Sequence, residues 1–343
     1  MSLLIADTLE KRFTQRPDFV GRLLHRAGLG PGEATVHAVD RVSLAIEKSE
    51  VLGLVGESGC GKSTVARMLA GVLPPSSGRI LLDGVDVTTR QTQAGRLAAR
   101  GIQMIFQDPF AAMNPRYWVR DIIAEAPIHH GIVSKRNAWD MVAETLTACG
   151  LDSSYADRLP HQFSGGQRQR VGIARALAMQ PKLVICDEAV TALDVSIQAQ
   201  VLNLFLDLRK RFDLTYLFIS HDLSVVRHVS DRVAVMYLGR VVEVAETEAI
   251  FSNPRHPYTR ALIQQSPSIK RRRHPHRPIE GEVPSPLDPP PGCHFHPRCS
   301  LAFDRCRVEA PALAAIDGGR RVACHLEQMP SPGLPSTVEK NAA

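Results

Sequence analysis

The stretch GESGCGKST at residues 56–64 constrains the fold of this chain more than any other. It matches the pattern G-x-x-x-x-G-K-[ST], follows the apolar run VLGLV and opens a segment with helical periodicity. In that context the pattern binds phosphate, because the glycines let the backbone wrap anionic oxygens at the positive end of a helix. The predicted phosphate-binding residues are Gly56, Glu57, Ser58, Gly59, Cys60, Gly61, Lys62, Ser63 and Thr64.

A second apolar run, LVICDE at residues 183–188, supplies the acidic partner that such a loop needs. We expect Lys62 to reach the β- and γ-phosphates of ATP, and we expect Ser63 and Asp187 to hold Mg²⁺. Glu188 follows directly and can polarise an attacking water as a general base. The two stretches together predict an ATP-hydrolysing site.

Predicted strands alternate with predicted helices over much of the chain. The runs VLGLV, KLVICD and LTYLFIS have the length and composition of buried strands, and the segments between them have helical periodicity. This alternation predicts an α/β fold, with a mostly parallel sheet and helices on both faces. Residues from about 108 to 180 are predicted to form a mostly helical subdomain.

The amino-acid composition of the sequence changes near residue 265. The following PHRPIEGEVPSPLDPPPGC is rich in proline and cannot form regular structure, and it leads to a segment that carries four cysteines. We therefore expect an ATP-binding domain at residues 1–265, a C-terminal extension at 266–330 and a flexible tail at 331–343.

Composition excludes several classes of protein. Hydrophobic residues make up 44% of the chain and charged residues 22%, which excludes a disordered protein. The sequence contains no apolar stretch long enough to span a membrane and no export signal, so we expect a cytoplasmic protein. The net charge of +6 is compatible with nucleic acid, anionic lipid or phosphorylated ligands, but the densest basic run, KRRRHPHRP at 270–278, is more simply a solvated linker.

A second glycine-rich stretch, FSGGQ at residues 163–167, also looks like a phosphate cradle. The motifs occur in the order phosphate loop, QDP (107–109), FSGGQ, VICDE, ALD (192–194) and SH (220–221). This order resembles the nucleotide-binding subunits of ATP-binding cassette (ABC) transporters. The resemblance covers residues 1–265 and implies a sheet core with an antiparallel β subdomain and a helical subdomain. It also implies that FSGGQ completes the ATP site of a second subunit, so that two ATPs are sandwiched head to tail.

The resemblance further implies roles for individual residues. Gln107 would contact Mg²⁺ and sense the γ-phosphate, His221 would contact the γ-phosphate and orient the attack, and Asp194 would lie at the dimer seam. The family stacks an aromatic ring on adenine just after the first strand, and Phe13 is the best match, although the insertion after it departs from the usual spacing. A core or surface phenylalanine is the alternative for Phe13. The residues implied to cap the partner's ATP are Ser164, Gly165, Gly166 and Gln167.

Further stretches indicate which group of ABC transporters the chain resembles. QDPFAAMNPR (107–116), DEAVTALDVSIQAQ (187–200), NPRHPYTRALIQQSP (253–267) and the cysteine-bearing tail resemble the ATPases of bacterial dipeptide and oligopeptide ABC importers. The partners implied are a second ATPase that is usually different, two permease subunits and a secreted binding protein, with this chain on the cytoplasmic face of the membrane and no nucleic acid bound. Peptides are the expected cargo, with nickel, opines, glutathione or oligosaccharides as alternatives. A soluble ABC ATPase of translation or DNA repair, or an exporter ATPase, is the alternative function.

Four of the seven cysteines lie in the extension, with the spacings C-x5-C, C-x6-C and C-x17-C. Zinc sites usually contain one closer pair, and a cytoplasmic location disfavours disulfides. Some importer ATPases with a similar tail carry an iron–sulfur cluster. We therefore predict a [4Fe–4S] cluster, with structural zinc, assisted by His294, His296 or His325, and a metal-free tail as alternatives. The predicted cluster ligands are Cys293, Cys299, Cys306 and Cys324.

Overall fold

The structure is a computed structural model. It describes residues 2–15, 34–108, 113–191, 193–265, 279 and 281–328. Three parts of the sequence predictions lie outside the described residues: most of the insertion before residue 34, the basic run at 270–278 and the predicted tail at 331–343.

The described residues form two sheets. The strands are β1 (Ser2–Gln15), β2 (Ala34–Glu47), β3 (Val51–Val55), β4 (Ser77–Leu82), β5 (Val85–Asp86), β6 (Ile102–Ile105), β7 (Leu183–Asp187), β8 (Thr215–Ile219), β9 (Arg232–Tyr237), β10 (Arg240–Glu246), β11 (Ala314–Ala315) and β12 (Arg321–Val322).

The larger sheet has the strand order β11-β12-β10-β9-β3-β8-β7-β6. The five strands from β9 to β6 pair in parallel, whereas β10, β11 and β12 pair antiparallel. Every residue of β3, β7 and β8 is buried, as expected for parallel strands that are covered on both faces. The carboxyl ends of these strands meet at one edge of the sheet, where the phosphate loop, Glu188 and His221 follow β3, β7 and β8.

The described residues also form α-helices. They are α1 (Lys62–Leu69), α2 (Gln93–Ala99), α3 (Val119–His129), α4 (Ala138–Ala148), α5 (Gly165–Leu177), α6 (Val195–Phe212), α7 (Leu223–Val229), α8 (Thr247–Ser252), α9 (Pro257–Gln265) and α10 (Asp304–Val308). Among the described residues, no helix combines the length and the hydropathy that crossing a membrane requires.

Side-chain alternation along β7 divides the core into two layers. Val184 and Cys186 face a cluster that includes α3, α4, α5 and α6, whereas Leu183 and Ile185 face a cluster that includes α1 and the second sheet. That second sheet has the order β2-β1-β4-β5 and is antiparallel throughout. The predicted α/β class, with its parallel core, antiparallel β subdomain and helical subdomain, is confirmed.

The C-terminal extension joins the main body of the fold. Strand β12 pairs antiparallel with β10, with Val322 opposite Glu243, so the extension adds strands to the edge of the larger sheet. Phe295 is buried and packs edge-to-face on Tyr237 of β9, with the ring centroids 5.2 Å apart. Phe295 is thus buried against the ATP-binding domain, whereas other large apolar side chains of the extension, such as Leu287 and Val308, remain exposed.

His256, which precedes α9, is fully buried in this joint. Its Nδ1 accepts a hydrogen bond from the backbone N–H of Tyr258 at 3.0 Å, and its ring lies 5.9 Å from that of Phe295. Burial lowers the pKa of His256 to about 3, because the charged imidazolium would be desolvated. The ring is therefore neutral in the folded protein over the whole physiological pH range.

Lowering the pH from about 7.5 to about 5 is expected to reduce the free energy of unfolding by up to about 2 kcal/mol through His256. The unfolded chain binds a proton near the ordinary histidine pKa of 6.5, whereas the folded chain binds it only near 3, so acid favours the unfolded state. Urea denaturation of wild type and His256→Gln at both pH values measures this term, since the glutamine oxygen can still accept from Tyr258. Equal acid sensitivity of the two proteins would contradict the assignment.

Candidate nucleotide-binding site

The phosphate loop lies between the carboxyl end of β3 and the first residue of α1. Gly61 immediately precedes the helix with a φ of 104°, a conformation that favours glycine. A Cβ at this position would lie 2.3 Å from the carbonyl oxygen of Ala38. The loop can therefore approach β2 this closely only with glycine at position 61.

Lys62 is buried, and its side chain turns back onto the loop. Its Nζ donates to the carbonyl oxygens of Gly56, at 2.8 Å, and Glu57, at 2.9 Å. These carbonyls hold the ammonium group beside the backbone amides that open α1. Phosphate oxygens can take their place, because hydrogen bonds between an ammonium and an anion are stronger than those to a neutral carbonyl.

Ser63 and Asp187 bridge the loop to the end of β7. The Ser63 hydroxyl donates to Oδ1 of Asp187 at 2.9 Å. Burial raises the pKa of Asp187, and the hydrogen bond from Ser63 acts in the opposite direction. Hydroxyl and carboxylate oxygens are ligands that Mg²⁺ prefers, and a divalent cation would favour the charged carboxylate. The donor set therefore fits Mg²⁺.

Glu188 lies at the centre of a second group of polar side chains. Its Oε2 accepts from Nε2 of Gln107 at 3.0 Å, and its Oε1 lies 3.3 Å from Nδ1 of His221. These residues follow β7, β6 and β8, so the parallel sheet brings their side chains together from distant parts of the sequence. A carboxylate positioned between an amide and an imidazole can take a proton from water while both neighbours hold its orientation.

The signature residues form the start of α5. The Ser164 hydroxyl accepts from the backbone N–H of Gln167 at 3.4 Å, and Oε1 of Gln167 accepts from the backbone N–H of Ser164 at 3.0 Å. Gly166 has no room for a side chain, because a Cβ would lie 2.4 Å from Cγ2 of Ile197. In the part of the chain that the structure describes, neither Ser164 nor Gln167 hydrogen-bonds to the phosphate loop. Within the described residues, the signature residues at the start of α5 therefore do not form part of the phosphate loop's hydrogen-bond network.

Asp194 and Phe13 are both exposed. Asp194 precedes α6, where its carbonyl accepts from the backbone N–H of Gln198, and its neighbour Val195 is 85% exposed. Phe13 lies near the end of β1 and is 40% exposed, with Nζ of Lys11 at 5.3 Å from the ring centroid. The core alternative for Phe13 is excluded, whereas a surface phenylalanine and an adenine-stacking ring both fit this position.

Two protein-family models match the chain. One, the ABC transporter family, covers residues 39–191, and the other, the C-terminal region of oligopeptide/dipeptide transporters, covers residues 242–306. The chain is 48% identical to the probable peptide ABC transporter ATP-binding protein y4tS of Sinorhizobium fredii, over 89% of this chain and 90% of that protein. It is 50% identical to the oligopeptide transport ATP-binding protein AppF of Bacillus subtilis, over 85% and 90%. Among solved structures it is similar to cbiO1 from Clostridium perfringens, part of the ABC transporter complex cbiONQ, with a TM-score of 0.60, 26% identity and coverage of 74% of this chain and 91% of that one.

The chain belongs to the peptide ABC transporter ATP-binding proteins. The predicted family is confirmed. As an ABC protein the chain is an ATPase, and ATP with Mg²⁺ is the nucleotide and metal that suit this family. The relatives do not favour the alternative of a soluble ABC ATPase of translation or DNA repair.

The predicted iron–sulfur cluster is not supported. Cys293, Cys299, Cys306 and Cys324 all line one small cavity of the extension, and burial raises the pKa of the Cys324 thiol to about 11. Within the described residues, however, no group of three or more potential ligands is arranged to hold a metal ion. The same finding gives no support to the zinc alternative with His294, His296 or His325. The residues as placed do not fit a metal centre.

Tyr258 contacts the phosphate loop, although no pattern in the sequence indicated this role. The hydroxyl oxygen of Tyr258 accepts a hydrogen bond at 2.9 Å from the backbone N–H of Glu57, and the tyrosine is fully buried. Tyr258 lies in the stretch NPRHPYTRALIQQSP, which the sequence marked only as a family resemblance. A tyrosine in a short helix gives no signal that it bonds to a loop some two hundred residues earlier.

Glu188→Gln is expected to reduce ATP turnover by at least about 10²-fold while ATP still binds, because the amide keeps the shape of the side chain but cannot act as a base. Lys62→Ala, as the matched comparison, is expected to weaken ATP binding itself by about 10–100-fold. Phosphate release and equilibrium binding of labelled ATP measure the two effects. Wild-type turnover in Glu188→Gln would contradict the role of Glu188.

Proposed function

We propose that this ATPase drives the import of dipeptides or oligopeptides and that the predicted residues form its ATP site. In this proposal Lys62 and the amides at the start of α1 hold the phosphates, while Ser63, Gln107 and Asp187 hold Mg²⁺. Glu188 takes the proton from water, and His221 orients the γ-phosphate. The observation that carries the proposal is the meeting of Gln107, Glu188 and His221 beside the pair of Ser63 and Asp187.

The signature residues complete the ATP site of a second ATPase subunit. Ser164 caps the N-terminus of α5, where backbone amides and the helix dipole favour an anion, and its hydrogen bonds stay within its own turn. The exposed Asp194 lies at the seam between the subunits, and the exposed Phe13 stacks on adenine. The second subunit is a different protein in this proposal, as is usual for importers of this group.

In this proposal, ATP binding shifts the equilibrium between an open and a closed dimer of ATPase subunits. Each nucleotide bridges two subunits, so its γ-phosphate stabilises a closed dimer that opens again after hydrolysis. Moving such an equilibrium from 1:99 to 99:1 requires about 5.5 kcal/mol of differential binding. Two buried triphosphates with several charge-assisted hydrogen bonds each are sufficient for this, since such bonds contribute about 1.5–3 kcal/mol apiece.

The helical subdomain offers a surface for the two permease subunits. A groove of about 480 Å³ lies between β6 and the helices α3 and α5, and its lining includes Arg90, Arg96, Arg100 and Arg175. Tyr117 and Trp118, at the start of α3, are about half exposed, at 48% and 42%. A groove lined by several cations, with exposed aromatic rings elsewhere at the start of α3, suits a cytoplasmic segment of a membrane subunit, which would place the ATPase peripherally on the cytoplasmic face.

The domain division is part of the same proposal. Residues 1–265 are the ATP-binding domain, which includes a helical subdomain at about 108–180, and residues 266–330 are the extension typical of this group of importers. The family match of the C-terminal region begins inside the first of these, at residue 242. A secreted binding protein delivers the peptide to the permeases.

Ser164→Asp is expected to lower ATP-driven uptake of a labelled dipeptide by at least about tenfold in vesicles that contain the whole transporter and its binding protein. Aspartate can still cap α5, but its charge would repel the triphosphate of the partner subunit. Photolabelling with azido-ATP should decrease on the partner and persist on this chain, and Ser164→Thr is the matched control. Equal loss of labelling on both subunits would contradict the head-to-tail arrangement, and absence of uptake of both dipeptides and oligopeptides by the wild type would contradict the cargo.

A further inference from the structure

The C-terminal extension contacts the phosphate loop directly through Arg298. The guanidinium group of Arg298 donates to both carboxylate oxygens of Glu57, from Nη1 at 2.7 Å and from Nη2 at 3.1 Å. The Arg298 side chain is only 5% exposed. A two-pronged pair of this kind fixes the direction of the carboxylate as well as its distance, and burial protects it from screening.

Arg298 is fixed by its own surroundings in the extension. This arginine is the last residue of a short 3₁₀ turn, His296–Arg298, in which the backbone N–H of His296 donates to the carbonyl oxygen of Cys293. Phe295, just before the turn, packs on Tyr237, and the Arg298 guanidinium lies 5.8 Å from the centre of the same tyrosine ring. The arginine therefore extends from a fixed base rather than from a free chain end.

Glu57 is thus held at two points. Tyr258 accepts from its backbone N–H, and Arg298 binds its carboxylate. The carbonyl of the same residue accepts from Nζ of Lys62 at 2.9 Å. Any change in the position of Glu57 therefore moves a group that contacts the ammonium of the phosphate loop.

We propose that Arg298 is a positioning residue of the ATP site, which holds the phosphate loop in its binding conformation from the C-terminal extension. This inference rests on the proposal that residues 56–64 bind the ATP phosphates. Loss of the guanidinium would release the Glu57 side chain and leave a negative charge uncompensated on the loop that must receive a triphosphate. Both effects weaken nucleotide binding, and neither touches Glu188, Gln107 or His221.

Arg298→Gln in the full-length chain is expected to raise the Kd for ATP about tenfold, a change that corresponds to about 1.4 kcal/mol. Turnover at saturating ATP should stay within about twofold of wild type, because the hydrolytic residues are not in contact with Arg298. Arg298→Lys keeps the charge but lacks the planar guanidinium that binds both carboxylate oxygens. Its Kd for ATP should therefore lie between those of wild type and Arg298→Gln. Arg305→Gln is the matched control, since this exposed arginine of the same extension pairs with Glu309 and not with the loop.

A double-mutant cycle with Glu57→Gln separates a specific contact from a general loss of structure. If Arg298 acts through Glu57, the double variant binds ATP no more weakly than Arg298→Gln alone. Losses that multiply in the double variant, or an Arg298→Gln Kd within twofold of wild type, would overturn the proposal. Melting temperatures confirm folding, and Arg298→Lys carries the test if Arg298→Gln does not fold. Should Lys62→Ala also leave ATP binding unchanged, the phosphate-loop proposal itself fails, which is a different outcome.

Discussion

The hydrogen bond between Ser63 and Asp187 joins the two halves of the proposed ATP site. Ser63 lies in the first turn of α1, which follows the phosphate loop, and Asp187 ends a buried strand that is separated from β3 by β8. Strands β3, β8 and β7 run parallel, so the carboxyl ends of β3 and β7 lie at the same edge of the sheet. Because Glu188 follows Asp187 without a gap, the same bond also fixes the distance between the phosphate loop and the group of Glu188, Gln107 and His221.

Burial around that bond has a functional consequence. Desolvation raises the pKa of Asp187, so burial disfavours the charged form of this carboxylate. A divalent cation removes this cost, so metal binding and the local stability of the site are linked. The extension adds a second restraint on the loop through Arg298, and Tyr258 of α9 adds a third.

Much of the fold could be predicted from the sequence, because its elements depend on local patterns. The apolar runs that became β3, β7 and β8 and the periodicity of α6 were readable directly, as were the glycines of the phosphate loop. Tyr258 and Arg298 were not, because a contact between a distant side chain and a loop leaves no periodic signal. The cluster prediction, which relied on the resemblance of the tail, gains no support from the described residues; there the extension is joined to the sheet by Phe295 and by the pairing of β12 with β10.

The most direct test of this account is the affinity of the site for Mn²⁺ in the presence of saturating ATP, measured by electron paramagnetic resonance. If Asp187 holds the metal together with Ser63 and Gln107, Asp187→Asn should weaken Mn²⁺ binding by at least about tenfold, since a charge-assisted contact is worth about 1.5–3 kcal/mol. ATP binding without metal should be largely retained in that variant. Unchanged Mn²⁺ affinity in Asp187→Asn would contradict the central claim that the end of β7 and the phosphate loop form one metal-dependent site.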